Sequence, residues 1–258
     1  MKPEVTITEM TRKEIADRLS KVRAVIIPVA STEQHGLHLP LQHDTAQCCF
    51  IAEEAAGRLY PKVLVAPPVS IGLSSHHLRW PMSLTLRPET FVNVIIDICT
   101  SLKHHGVERA VILNGHGGNR NPKLWGGGGP PPIELAAREA RGLGLNATTL
   151  NWFDLVPPDR VTEILQGSYP GHSGETETSL ALYMYPDKVR QAEMKPCEGI
   201  SDDVGLATME KGKSLFEEVV KHLVSFLQEF MEDKIDDIYY HPHGLRDGSE
   251  TRSTRGKL

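Results

Sequence analysis

Short apolar segments alternate along this chain with longer segments in which apolar residues recur at helical spacing. The apolar segments predict strands buried on both faces, and they lie at residues 23–30, 63–69, 109–113 and 147–152. The amphipathic segments predict helices, and they lie at residues 11–21, 44–60, 87–105, 133–142, 173–185 and 208–230. Strands that alternate with helices in this way predict an α/β fold, whose mostly parallel sheet is covered on both faces.

Proline and glycine mark several boundaries in this pattern. Pro88 suits the first turn of its helix and Gly106 ends that helix. The run WGGGGPPP at 125–132 cannot continue a helix and predicts a loop or insertion before the next one. Because no linker stands out, we expect one domain over residues 1–240, followed by a flexible tail over 241–258.

Composition narrows the class of protein. The chain has 258 residues, 40% of them hydrophobic and 24% charged, which is enough to bury a core without disulfides or metal staples. A net charge of −5 argues against nucleic-acid binding. No apolar run reaches the length of a membrane span, and the charged start of the chain predicts no signal peptide. The four cysteines form no CxxC pair, which favours a reducing cytoplasm.

Twelve histidines are the unusual part of this composition, and several follow predicted strands. In a parallel sheet, ligands bind beyond the carboxyl ends of the strands. After the first strand, Glu33 and His35 would point to the same side of an extended chain, and Asp44 follows nine residues after His35. These three predict half of a metal site. The alternative is that Asp44 caps a helix while the other two are solvated.

A glycine-rich turn, NGHGGN at 114–119, follows the third predicted strand. Its glycines allow a sharp turn and a close approach to a ligand, so His116 would project into the same crevice. The alternatives are a tight turn that happens to hold a histidine, or a phosphate-binding loop. The second alternative lacks the GxGxxG and GxxxxGK[ST] patterns.

The segment HSGETETS at 172–179 opens the predicted helix at 173–185. Ser173 would cap that helix, with Glu175 and Glu177 in its favourable first turn. Capping explains the acidic residues without a metal, but it does not explain His172. A carboxylate here would complete a metal site and leave His172 for acid–base chemistry.

In this order and spacing, EQHGLHLP with Asp44, NGHGGN and HSGETETS resemble the creatininase (creatinine amidohydrolase) family, over roughly residues 10–230. The resemblance implies a three-layer α/β/α fold with a mostly parallel central sheet. It also implies a metal-dependent amidohydrolase that cleaves a C–N amide bond of a small molecule with metal-activated water. From the family we expect two divalent ions and a homohexamer. Mixed His and carboxylate ligands suit Zn, Mn or Fe better than Ca or Mg.

Carried over by position, the resemblance implies four metal ligands: Glu33, His35, Asp44 and His116. Asp44 would bridge the two ions. Creatinine-hydrolysing members take a further ligand from a Glu at the position of Gly118, so a carboxylate of the third motif is expected to substitute here. We favour Glu175, with Glu177 second.

The resemblance makes His172 the catalytic histidine. We also predict Glu177, a carboxylate of the same motif, as a second catalytic group. The resemblance also makes His77 a pocket-lining residue. With His77 we predict three further substrate-binding residues from the residues themselves: Ser74 in the same loop-like segment at 72–81, and Gly117 and Gly118 in the glycine-rich turn. For the 72–81 segment, an ordinary loop is an equally good interpretation.

Two departures from the family argue against creatinine itself as the substrate. Gly118 stands where creatinine hydrolysers carry Glu, and Ser168 stands where they carry Trp. The substrate is then expected to be a cyclic amide, a formamide or a small peptide-like amide. Two other functions stay open from the sequence: a metal-dependent lyase or isomerase in the same crevice, and a non-catalytic metal-binding or regulatory protein.

Overall fold

A four-stranded parallel sheet forms the centre of the computed structural model, which describes residues 3–243. The strands are β1 (Ala24–Val29), β2 (Val63–Val65), β3 (Arg109–Asn114) and β4 (Asn146–Asn151), in the order β2-β1-β3-β4. All four predicted strands are present. β2 is shorter than the predicted 63–69 because Pro67 and Pro68 have no N–H group with which to continue the ladder.

The helices are α1 (Arg12–Arg18), α2 (His43–Arg58), α3 (Pro88–His104), α4 (Pro132–Gly142), α5 (Pro158–Ile164), α6 (Glu175–Met184) and α7 (Met209–Met231). Six of them begin and end within three residues of the predicted first and last residues. The exception is α5, which was not predicted because only Val161 and Ile164 are apolar among its seven residues. Both pack against the core beside α7.

Two apolar cores cover the two faces of the sheet. Ile26 of β1 faces a core that also contains Ile51 of α2 and Phe226 of α7. The neighbouring Ile27 faces the opposite core, which is built with α3 and α4. Because successive side chains of a strand point to opposite faces, each strand contributes to both cores. The expected three-layer α/β/α arrangement is confirmed.

The sheet brings two of the polar segments to one edge. Val29, the last residue of β1, pairs with Asn114, the last residue of β3. Because the two strands are parallel neighbours, the loop at 30–42 and the glycine-rich turn at 115–119 leave the sheet side by side.

No helix within residues 3–243 is long and apolar enough to cross a membrane. Near the end of the described chain, Thr149 of β4 accepts a hydrogen bond from the N–H of Tyr240 at 2.9 Å. The predicted tail at 241–258 lies outside the described residues from 244 onward. The expected domain boundary at 240 therefore stays a prediction.

Candidate metal centre

Glu33, His35 and Asp44 meet at the carboxyl edge of β1, all three buried. Each offers one ligand atom to a group whose members lie within 4.8 Å of one another. The Nε2 atom of His35 is 2.9 Å from Oδ1 of Asp44. Asp44 lies in the first turn of α2, but Gln42 occupies the cap position and no side-chain cap bond forms. The helix-capping alternative for Asp44 therefore does not describe this structure.

His116 joins this group from the glycine-rich turn. Its Nδ1 atom lies 3.3 Å from Oε1 of Glu33 and 3.2 Å from Oδ2 of Asp44. Its other nitrogen, Nε2, lies 3.3 Å from the carbonyl oxygen of Leu73, to which it can donate. That contact leaves Nδ1 as the nitrogen beside the two carboxylates, the one whose lone pair a bound ion would take.

The structure brings Glu177, and not Glu175, to this cluster. Oε2 of Glu177 is 3.6 Å from Nε2 of His35. Glu175 is the carboxylate that the sequence predicts as a metal ligand. In the structure it instead forms an ion pair with Lys211 of α7. Its Oε2 also accepts from the N–H groups of Gln166 (2.8 Å) and Gly167 (2.6 Å). Both carboxylate oxygens of Glu175 are therefore engaged away from the centre.

The predicted cap of α6 is also different. Ser173 has a left-handed backbone with φ of 54°, and Gly174 occupies the cap position. A residue with this conformation cannot serve as an N-cap, which needs an extended backbone. The Ser173 N–H instead donates to Oε2 of Glu177 at 2.6 Å, which fixes that carboxylate beside the cluster.

His172 lies at the rim of the cluster, with its Nδ1 atom 3.7 Å from Oε1 of Glu33. Its Nε2 atom lies 2.9 Å from the backbone oxygen of Gln34, to which it can donate. The Gln34 amide nitrogen, also 2.9 Å from Nε2, has two other acceptors, Gly199 O at 2.7 Å and His77 Nδ1 at 3.3 Å. The sequence reading did not single out Gln34, because only the fold brings it to these rings.

A cavity of about 360 Å³ opens above the cluster. Three of the predicted substrate-binding residues line it, namely His77, Gly117 and Gly118. The fourth, Ser74, is fully buried behind His116, with its hydroxyl 3.2 Å from Nε2 of that ring and in contact with the Ser31 hydroxyl. Ser74 therefore supports His116 and does not face the cavity.

His43 is a member of the cluster that the sequence reading missed. It is fully buried at the start of α2, and it forms a compact group with His35 and Glu177. Its position beside Asp44 was visible in the sequence. Adjacency to Asp44 was a weak signal, because residues 31–43 are predicted to form a polar loop. A histidine in such a loop is expected to be exposed to solvent.

Burial and charge together shift the ionisation of these groups. Burial raises the pKa of Glu33, but the neighbouring His116 outweighs it and brings that pKa to about 2. Burial lowers the pKa of His35, but Asp44 outweighs it and brings that pKa to about 10. For Glu177, burial dominates and raises the pKa to about 7. Glu33 is thus held as the carboxylate, the form that binds metal.

The cluster fits a metal centre by a further criterion. Within the described residues, both carboxylate oxygens of Glu33, Oδ2 of Asp44 and Nε2 of His43 are buried with no hydrogen-bond partner. Unpaired buried polar atoms are costly unless they coordinate something. Mixed imidazole and carboxylate donors are the set that Zn²⁺, Mn²⁺ and Fe²⁺ prefer.

A parallel α/β sheet, with a buried carboxylate–imidazole cluster under a cavity at its carboxyl edge, suits a metal-dependent hydrolase. Comparison with known proteins defines the family. The model of the family described as "Creatininase: Creatinine amidohydrolase" matches residues 8–227, and the chain belongs to this family.

Two relatives and one solved structure illustrate the similarity. The chain is 31% identical over 207 residues to the creatinine amidohydrolase of Pseudomonas putida, covering 73% of this chain and 75% of that protein. It is 27% identical over 241 residues to the mycofactocin precursor peptide peptidase of Mycolicibacterium smegmatis, covering 83% and 88%. The crystal structure of a creatinine amidohydrolase (creatininase) superposes with a TM-score of 0.75 and 25% identity, covering 88% and 98%. The expected fold and family are confirmed, and the chain is a metal-dependent amide hydrolase.

Proposed function

We propose that this enzyme hydrolyses the amide bond of a small polar molecule other than creatinine, with two divalent ions at the cluster. The observation that carries the proposal is the set of buried, unpaired donor atoms on Glu33, Asp44 and His43 beneath the cavity. Buried polar atoms without a hydrogen-bond partner require an explanation, and a bound ion supplies one.

The donor atoms divide into two groups that share Asp44. Glu33, Asp44 and His116 would hold one ion, and His35, Asp44 and Glu177 the other. Ions bound there would supply a Lewis acid and lower the pKa of a nearby water. Zn²⁺, Mn²⁺ and Fe²⁺ all suit these donors.

His172 is the proposed proton carrier. Because its Nε2–H can donate to the Gln34 carbonyl, its Nδ1 lone pair faces the cluster. Burial lowers the pKa of His172 and so favours the neutral ring, the form that can accept a proton. Nδ1 can then accept a proton from the attacking water and deliver it to the departing nitrogen.

The cavity supports a small substrate. Its volume of about 360 Å³ lies at the lower end of the range for small-molecule sites. Leu124, Phe153 and Ile200 supply apolar walls, whereas His77 supplies a polar group. With Gly118 and Ser168 at the two positions that distinguish creatinine hydrolysers, we propose a cyclic amide, a formamide or a small peptide-like amide.

One experiment tests this function directly. The metal content of carefully purified enzyme is measured first. The enzyme is then assayed for release of amine or formate from a panel of cyclic amides, formamides and short peptides, with creatinine included. An Asp44→Ala protein purified in parallel controls for contaminating activity. Metal near background, or no amide turned over by the metal-loaded enzyme, would contradict the proposal.

We also propose a homohexamer in a reducing cytoplasm. All four cysteines lie in the described part and are free, which suits a reducing compartment.

The hexamer is suggested by the family resemblance, and exposed Leu78, Met82 and Leu84 supply apolar surface for a neighbouring copy. Light scattering should give six times the 28.6 kDa mass of one chain.

A further inference from the structure

His43 has an unpaired nitrogen directed into the metal centre. The side chain is fully buried, and its Nε2 atom has no hydrogen-bond partner within the described residues. That atom lies 4.0 Å from Oε2 of Glu177, which is itself 3.6 Å from Nε2 of His35. One atom from each of these three side chains fits within a span of 4.8 Å.

The far nitrogen of His43 is held by the protein. Its Nδ1 atom lies 2.6 Å from the hydroxyl of Tyr185, at the end of α6. His35 and His116 have the same arrangement, because each has its far nitrogen next to a backbone carbonyl, that of Glu33 at 3.1 Å and that of Leu73 at 3.3 Å. Metal-binding histidines characteristically donate their far N–H in this way, which directs the other lone pair at the ion.

The second ion position can take such a donor. Three side chains are already assigned to it, His35, Asp44 and Glu177, of which Asp44 is shared with the first position. Nε2 of His43 would be a fourth donor, which gives the second position two imidazoles where the first has one.

We infer that His43 is a ligand of the second ion through Nε2, with Tyr185 as the residue that orients it. The inference rests on the proposed two-ion function. With two imidazoles, this position selects a borderline transition-metal ion such as Zn²⁺ over Mg²⁺ or Ca²⁺.

Zinc titration of the metal-stripped full chain tests this assignment by calorimetry with a competing chelator. We expect the unaltered enzyme to bind two ions. In His43→Gln the first ion should bind as before, and the second should weaken by more than about 100-fold, the upper end of what an outer-shell loss costs. Tyr185→Phe should weaken the second ion by about 10- to 100-fold. His38→Gln is the matched control, because His38 is equally buried but bonds to Thr178.

A second measurement needs no substitution. In the Co²⁺-loaded enzyme, proton NMR should show three exchangeable, hyperfine-shifted imidazole N–H signals, one each from His35, His43 and His116. Two signals would overturn the assignment even if His43→Gln fails to fold. Unchanged affinity for the second ion in His43→Gln would also overturn it, while leaving the two-ion function intact. If the unaltered enzyme binds fewer than two ions, the two-ion function itself fails, and the assignment with it.

Discussion

His35 and His116 each have one nitrogen beside a backbone carbonyl and the other beside a carboxylate of the metal centre. Nδ1 of His35 is beside the Glu33 carbonyl, and Nε2 of His116 is beside the Leu73 carbonyl. The rings therefore present opposite nitrogens, Nε2 and Nδ1, to the same Asp44 carboxylate. Asp44 is thus the point at which the two halves of the centre meet.

Replacing Asp44 with Ala should remove bound metal and turnover while leaving the fold largely intact. The carboxylate touches both halves of the centre, so its loss weakens both ions at once. Metal content by mass spectrometry, turnover and circular dichroism check this. Asp97→Ala, at an exposed position of α3, is the control. A variant that keeps its full metal content and its activity would show that Asp44 does not bridge.

Replacing His172 with Ala should leave metal bound but lower kcat by about 10²- to 10⁴-fold, the usual contribution of general acid–base catalysis. His172 is at the rim: its Nδ1 lies 3.7 Å from Oε1 of Glu33, and its ring centroid lies 4.5 Å from that of His35. Metal content and steady-state kinetics are measured on the same preparation. Loss of metal in this variant would instead make His172 a ligand.

At the scale of elements, the orientation of the first turn of α6 determines whether Glu175 or Glu177 lies at the metal centre. Residues two apart on a helix point to nearly opposite sides, so Glu175 and Glu177 cannot both face one site. Spacing shows that only one can do so, but it does not give the rotation of the helix. Packing against α7, where Lys211 binds Glu175, sets that rotation.

Substituting the two carboxylates of α6 one at a time should give two different effects, one on metal binding and one on stability. Glu177→Gln should weaken metal binding, because Oε2 of Glu177 lies beside His35. Glu175→Gln should leave metal binding unchanged but lower the free energy of unfolding by about 1–3 kcal/mol, because it disrupts buried, charge-assisted hydrogen bonds. Zinc titration and urea unfolding measure the two effects. The reverse pattern would restore Glu175 as the ligand.

The glycine-rich turn at 114–119 also determines the position of a side chain of the metal centre. A Cβ on Gly118 would overlap the carbonyl oxygen of Leu73 and the ring of His116. Gly118→Ala should therefore displace His116 and weaken metal binding by about 10- to 100-fold, as loss of ligand support does. Gly117→Ala is the control, since a Cβ there meets nothing within 4 Å. Equal zinc affinity in the two variants would contradict this account.

At the scale of the whole molecule, the metal centre is built from side chains of several separate elements. Its side chains come from the loop after β1, the start of α2, the turn after β3 and the start of α6. An ion bound there stabilises only the folded chain, because the unfolded chain does not hold these donors together.

Removing metal should therefore lower the thermal stability of the whole chain. An ion present at 100 times its Kd adds about 2.7 kcal/mol, and each kcal/mol shifts Tm by about 2–4 °C in a domain of 150–250 residues. Chelation should then lower Tm by about 5–11 °C for each ion lost. Differential scanning calorimetry with and without chelator measures this, and re-addition of zinc should restore the Tm. No shift would indicate that the centre does not bind metal in the folded chain.

The sequence by itself determined the layered fold and most of the candidate site. Apolar strands alternating with amphipathic helices allow few arrangements other than a covered parallel sheet. Glu33, His35, Asp44 and His116 were identifiable because they follow strands whose ends must meet at one edge. Local periodicity and the shared edge of parallel strands predicted where these side chains lie, and the resemblance to the creatininase family made them metal ligands.

Only the tertiary structure decided the remaining members of the site. The choice of Glu177 over Glu175 depends on how α6 is rotated against α7. The place of His43 depends on burial and on Tyr185, which lies 142 residues away along the chain. Contacts of this kind bring together side chains that no local spacing relates, so they appear only when the helices are packed.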